Sequence, residues 1–192
     1  MITMFESDKK AKAQAIVRSH VLWAMGGGLI PVPLVDFAAV TAIQLEMLQQ
    51  LAELYGVNYS QSNGKTFVSA LTGTTVARLG ASLIKAIPGF GTVLGGASMS
   101  LASGASTYAV GQVAIDHFAK SGDLGNFIEN QLKKAYEDAF QKGKSYVSDL
   151  ENERQEAADV YQTLEKLGKL KEQGILTEEE FQAKKKQLLD RL

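Results

Sequence analysis

Apolar residues recur at intervals of three and four along most of this chain, and the interruptions in that rhythm divide it into elements. Ala11 to Ile30 reads as a helix that stops at Ile30-Pro31-Val32-Pro33, because proline offers no N–H and drives the residue before it out of the helical region. A second helix is predicted from near Leu34 to Asp36 as far as Tyr55, where Gly56 ends it. Within it Phe37, Val40, Ile43, Met47, Leu51 and Leu54 share one face, while Glu46, Gln49, Gln50 and Glu53 hold the other. A polar loop, Asn58 to Gly64, precedes a third helix from Thr66 to Ile87, which again ends at an Ile-Pro pair. Pro88-Gly89-Phe90-Gly91 then turns the chain into a return arm reaching about Lys120. The pattern predicts two helical hairpins, each broken by proline.

Beyond them, Asp123 is placed to cap a long helix. Leu124, Phe127, Ile128, Leu132, Ala135, Tyr136, Ala139 and Phe140 keep helical spacing, joined later by Tyr146, Val147 and Leu150. Glu151 to Asp159 is polar enough to be a solvated helix or a hinge. Further on, Gly174 can end a helix in the left-handed conformation, and Thr177 with Glu180 three residues later makes a capping box for another. Leu164, Leu167, Leu170, Ile175, Leu176, Phe181, Leu188 and Leu189 can close a two-helix mini-core, too small to be stable without docking on another surface or another copy. The expected fold is all-α. Residues 11–121 form an apolar, Gly-rich double hairpin packed as a bundle, 122–161 a long amphipathic helix and hinge, and 162–192 a helical hairpin.

Charge changes the picture most through its placement. Between Ser19 and Ile115 there are six charged residues, Asp36, Glu46, Glu53, Lys65, Arg78 and Lys85, whereas the shorter stretch from Asp116 to Leu192 holds 29. The first region also carries 13 of the 18 glycines and all three prolines. One segment is built for a water-poor setting and the next for water. Residues 86–115 are free of charge over a membrane-spanning length, but they are rich in Gly, Ser and Thr. Arg78 and Lys85 in the partner arm would each cost about 2.5–3.5 kcal/mol at mid-bilayer. Shallow insertion or burial in protein is therefore expected over full spanning.

The overall net charge of −1 and the lack of a basic stripe interleaved with aromatics argue against nucleic acid. With no cysteine, the chain has no disulfide framework, Cys-based zinc site or thiol nucleophile. Its first residues, MITMFESDKKAKAQ, lack the pattern of a secretory signal, so a cytoplasmic protein is expected.

Candidate chemistry is sparse. Ser62-Asn63-Gly64-Lys65-Thr66 ends like a phosphate-binding loop, yet Tyr59 stands where that motif needs its first glycine. His20 and His117 lack metal-ligand spacing, although Asp116 adjoins His117 and the open ends of the hairpins could bring His20 near. No catalytic, cofactor or metal site is assigned. Asp36, the lone acid of its hairpin, reads first as an N-cap after the proline turn and otherwise, with Pro31, Pro33 and Pro88, as a partner-recognition position. Gly91, Gly95, Gly96, Ser100 and Gly104 let helix backbones approach closely, either within the chain or between copies.

Residues 16–122, with the LIPVPLVD turn, the QLEMLQQLAELYGV helix and the KAIPGFG turn, resemble the helical domain that bacteria attach to Era-like GTPases or encode beside them. That resemblance implies membrane association and a GTPase partner in trans, since this chain has no GTPase domain of its own. The tail from Leu164 to Leu189 closely resembles the short C-terminal domain SHOCT. Together these readings predict a non-enzymatic helical scaffold or assembly module, with no cofactor, at the inner face of the cytoplasmic membrane. Lipid contact and a protein partner are expected of it. Its tail, through Leu167, Leu170, Ile175, Phe181 and Leu188, mediates homo-oligomerisation. A fully soluble helical adaptor and a Gly-rich pore-forming assembly are the alternatives.

Overall fold

The computed structural model describes residues 2–27, 33–83, 93–121, 124 and 128–190. They form six helices: α1 (Ile2–Gly27), α2 (Pro33–Tyr55), α3 (Gln61–Leu83), α4 (Val93–Ser121), α5 (Glu129–Glu172) and α6 (Glu178–Leu189). The fold is all-α, as the periodicity predicts. Two compact units divide it, Met1–Val147 and Ser148–Leu192, and α5 contributes to both.

The helix ends follow local chemistry. Pro33 opens α2, a position where its missing N–H has no intrahelical partner to lose. Gly56 closes the same helix with φ +73°, donating its N–H to Glu53 O at 3.2 Å while Val57 donates to Ala52 O at 2.8 Å. This pair of bonds is a Schellman motif, and the burial of Val57 and Ala52 supplies the apolar contact that accompanies it. Ser60 caps α3, its Oγ accepting from the Asn63 N–H at 3.2 Å. The third helix therefore starts before Thr66, and the second half of the polar stretch 58–64 is its first turn. The first helix likewise begins well ahead of Ala11, with an exposed Asp8–Lys12 ion pair at 2.9 Å along its outer face.

Contacts fix the directions of the first unit. α1 runs antiparallel to α2, with the Lys9 ammonium 5.0 Å from the centre of the Tyr55 ring. It is also antiparallel to α4, which pairs Met25 with Ser100 and Gln14 with Gln112. α2 and α4 run parallel, linking Gln44 to Ser106 and Tyr55 to Phe118. Near the start of α3, Phe67 packs against His117 and Phe118 of α4, with ring centres 5.8 and 6.5 Å apart. Val17, Val21, Met47, Leu48, Leu51, Phe67, Leu71, Val110, Tyr136 and Val147 are buried here. Each large apolar side chain contributes about 1.5–3 kcal/mol by leaving water.

The buried face of α2 is rotated from the one its apolar spacing suggests. Gln44, Met47, Leu48, Leu51 and Ala52 are buried, whereas Val40, Ile43 and Leu54 are only half-buried. α2 meets α1 and α4 on adjoining sides, and the second row of contacts draws Gln44, Leu48 and Ala52 inward.

In the second unit, α5 remains helical through Glu151 to Asp159, where all but Glu151 and Ala157 are exposed. Gly174, with φ +71°, ends it in another Schellman motif: Gly174 donates to Lys171 O at 2.9 Å and Ile175 to Leu170 O at 3.0 Å. Thr177 then caps α6 through a complete capping box with Glu180.

Candidate interaction surfaces and a buried polar seam

Neutral polar side chains run through the core of the first unit. Gln44, 2% exposed, donates through Nε2 to Ser106 Oγ at 3.1 Å and to Thr107 Oγ1 at 3.4 Å. Tyr136 of α5 donates its hydroxyl to the same Ser106 Oγ at 2.9 Å, so one serine ties α2, α4 and α5. On the other side of α4, Gln14 and Gln112 exchange two amide hydrogen bonds of 3.1 and 2.9 Å. Unpaired, each buried amide would cost about 1–3 kcal/mol; paired, these groups hold helix register without introducing charge. Sequence reasoning passed over this seam. Its available signal is Gln44 itself, four residues after Val40 and seven before Leu51, an amide among apolar positions.

The small residues of α4 face the same chain. Ser100 Oγ donates to Met25 O at 3.1 Å. A Cβ on Gly104 would stand 2.8 Å from a Val147 methyl carbon and 2.9 Å from Met25 Cγ, and one on Gly111 would stand 2.6 Å from a Val17 methyl carbon. Gly143 brings α5 equally close to α4, where its Cβ would meet the Ala105 carbonyl oxygen at 2.9 Å. Gly95 and Gly96 lie in the first turn of α4. Gly91, Pro31 and Pro88 fall outside the described residues, as does Asp123. Asp36 occupies the fourth position of α2, so it is not the N-cap; the helix starts earlier because Pro33 can serve as its first residue.

Chemistry expected of polar motifs is absent where their backbone is helical. Ser62 to Thr66 form the first turns of α3, and Thr66 Oγ1 donates to Ser62 O at 3.0 Å, so this backbone does not form the cradle a phosphate requires. His20 and His117 have separate surroundings. His20 Nδ1 donates to Ile16 O at 2.8 Å, whereas His117 stacks beside Phe67 and Phe118. Among the described residues no group of His, Asp and Glu is arranged to hold a metal.

Two surfaces stand out among the described residues. At the end of the α1–α2 hairpin, Trp23 is 73% exposed. Ala38, Ala39 and Ala42 are exposed and Val40 and Ile43 half-exposed on the facing stretch of α2. Neither α1 from Ser19 to Gly27 nor α2 from Phe37 to Leu45 contains a charge. A cleft of about 230 Å³ opens beside Trp23, lined also by Ser19, His20, Ile43, Glu46 and Gln50.

The second surface is the C-terminal hairpin. Lys171 joins its helices, contacting Glu178 at 2.6 Å and lying 4.8 Å from the centre of the Phe181 ring. No residue of α6 is buried. Leu167, Leu170, Phe181 and Leu188 are half-buried, while Ile175 at 63% and Leu189 at 44% are exposed. Ile175 therefore does not join the mini-core; the left-handed turn at Gly174 commits its backbone to Leu170 and leaves its side chain in water.

An all-α bundle with a neutral polar seam, followed by a capped helical hairpin, defines the class to which this chain is assigned. Residues 3–145 match the model of the family described as "Domain of unknown function (DUF697)", and residues 162–189 match the "Short C-terminal domain", SHOCT. The chain belongs to the DUF697 family and carries a SHOCT segment at its end. It is 37% identical over 151 residues to magnetosome membrane protein 22 of Magnetospirillum gryphiswaldense, covering 76% of this chain and 77% of that protein. No solved structure matches.

Proposed function

We propose that this protein is a non-enzymatic, membrane-associated helical scaffold whose apolar double hairpin, residues 11–121, meets the inner face of the cytoplasmic membrane. The observation that carries this reading is the exposure of Trp23 at the end of a hairpin whose stretches 19–27 and 37–45 hold no charge. An indole left in water beside Ile43 costs hydration that an interfacial lipid environment recovers, and tryptophan favours that environment. The relative's name, a membrane protein, supports the same reading. Among the described residues no helix is long and apolar enough to cross a membrane, so the association proposed is peripheral, by shallow insertion.

The hairpin 162–192, whose first helix is the end of α5, is then available for pairing with another copy. Its exposed Ile175 and Leu189 and the absence of any buried α6 residue support this. A GTPase acting in trans is the protein partner that the family resemblance implies. Flotation with vesicles tests the membrane reading: the full chain is expected to rise with lipid, and Trp23→Glu to remain below. Wild-type protein left at the bottom of the gradient overturns it. A second reading, a soluble helical adaptor, is favoured by the closure of the α1–α4 core on itself around Gln44 and Val110. A detergent-free monomer indifferent to vesicles would select it.

A further inference from the structure

We propose that the cleft between α1 and α2 is a binding site for an organic ammonium group, such as choline or ethanolamine carries. This inference stands apart from the membrane reading, because the chemistry of the cleft would hold a soluble cation equally well.

The cleft combines the two features that recognise such a group. Trp23 supplies an indole that is 73% exposed and makes up part of the wall, and an aromatic face attracts a cation through its quadrupole, tryptophan most strongly. Glu46, on the facing helix, supplies a carboxylate to the lining, and among the described residues of that lining there is no lysine or arginine. Other polar groups accept hydrogen bonds as well. Gln50 offers its amide oxygen and Ser19 its hydroxyl oxygen. For His20 the role of one nitrogen follows from its partner: the Ile16 carbonyl can only accept, so Nδ1 donates to it. One carboxylate and one aromatic face, with acceptor oxygens of Gln50 and Ser19 beside them, favour an ammonium over an anion.

Size narrows the class further. About 230 Å³ lies below the roughly 300–1,000 Å³ of pockets that enclose drug-sized ligands, and it suits a group of a few heavy atoms. Ile43, half-buried at the edge of the cleft, gives N-methyl or methylene groups an apolar contact. Trp23 and Ile43 present apolar surface to the cleft beside the Glu46 carboxylate, and a substituted ammonium engages all three at once.

The chain contains a single tryptophan, so its fluorescence reports this cleft alone. Full-length protein is titrated with tetramethylammonium chloride and with phosphocholine, against sodium chloride of matched ionic strength. A saturable change in emission is expected with both ammonium compounds and not with sodium. Glu46→Gln, which keeps shape and helix propensity, should weaken it about two- to fivefold, as loss of one exposed ion pair predicts. Ser62→Ala, a neutral change at an exposed position of α3 outside the cleft lining, should leave it unchanged. No saturable change, or one unaltered in Glu46→Gln, overturns the proposal.

Flotation with phosphatidylcholine and with phosphatidylglycerol vesicles then distinguishes the source. If Glu46→Gln removes a preference for the choline lipid, the ligand is a headgroup; if flotation is unaltered while the soluble titration is weakened, it is a free ammonium compound. Saturation by tetramethylammonium without flotation on any vesicle would sink the membrane reading and leave this site standing.

Discussion

Replacing Gly143 with alanine tests how closely α4 and α5 approach. In an unobstructed helix interior, alanine in place of glycine gains about 1 kcal/mol. At Gly143 the new Cβ would lie 2.9 Å from the Ala105 carbonyl oxygen, 3.0 Å from Ala105 Cα and 3.1 Å from Tyr108 Cδ1. Two of these atoms are backbone, so a rotamer change cannot relieve the contact. Favourable carbon contacts lie at about 3.5–4.0 Å, and α5 must therefore withdraw from α4 by roughly half an ångström. That movement strains the 2.9 Å bond from Tyr136 to Ser106 and the Tyr108–Tyr146 ring pair, whose centres are 4.7 Å apart. Overpacking of this kind costs about 1–3 kcal/mol, which offsets the helix gain and leaves Gly143→Ala neutral to about 2 kcal/mol less stable. Gly73→Ala is the control: Gly73 is helical, exposed and has nothing within 4 Å of an added Cβ, so it should gain about 1 kcal/mol. Urea unfolding of the full chain, followed by circular dichroism with slopes compared, should separate the two variants by about 1–3 kcal/mol. If Gly143→Ala stabilises as much as Gly73→Ala, the close approach described here is wrong.

Tyr136→Phe removes one of the two donors to Ser106 and should cost about 0.5–1.5 kcal/mol in the same assay, with no change in helix content; a gain in stability would refute the seam. Thr177→Ala breaks the capping box and should cost α6 about 0.5–2 kcal/mol, read as faster amide exchange over residues 178–182. At alkaline pH, burial holds Tyr55, Tyr59 and Tyr108 above the ordinary value of 10.0, helped by Asp116 at Tyr55 and by Tyr146 at Tyr108. The fold favours the neutral phenols, so their contribution is whole below the unfolded value and is lost as pH rises through the higher folded ones. Stability should fall above about pH 10 in step with tyrosinate absorbance, and a flat profile there would count against this reading.

How legible the fold was from sequence depended on whether the signal was local. Gly174, Thr177 with Glu180 and Gly56 are caps written in neighbouring residues, and the structure has them as expected. The start of α3 was misjudged because the run from Asn58 to Gly64 is polar, although Ser60 is a good cap; polarity there reflects an exposed first turn. Asp36 lies inside α2 rather than at its cap, because Pro33, whose fixed φ suits a first helical position, opens the helix three residues earlier. The rotated face of α2 was hidden because periodicity shows that a face exists, while its direction is set by two neighbouring helices. For the same reason Trp23 could not be placed in water from spacing alone. The resemblances carried both family segments, since turn and tail motifs survive where side-chain environments are not legible.

The twin amide bonds between Gln14 and Gln112 join α1 to α4 by groups that neither gain nor lose a proton across the biological range. Added salt has no charge to shield there, and acidification has nothing to neutralise. The alignment of these two helices is thus fastened by a clasp indifferent to its ionic surroundings, and it would hold equally beside an acidic lipid surface and in dilute buffer.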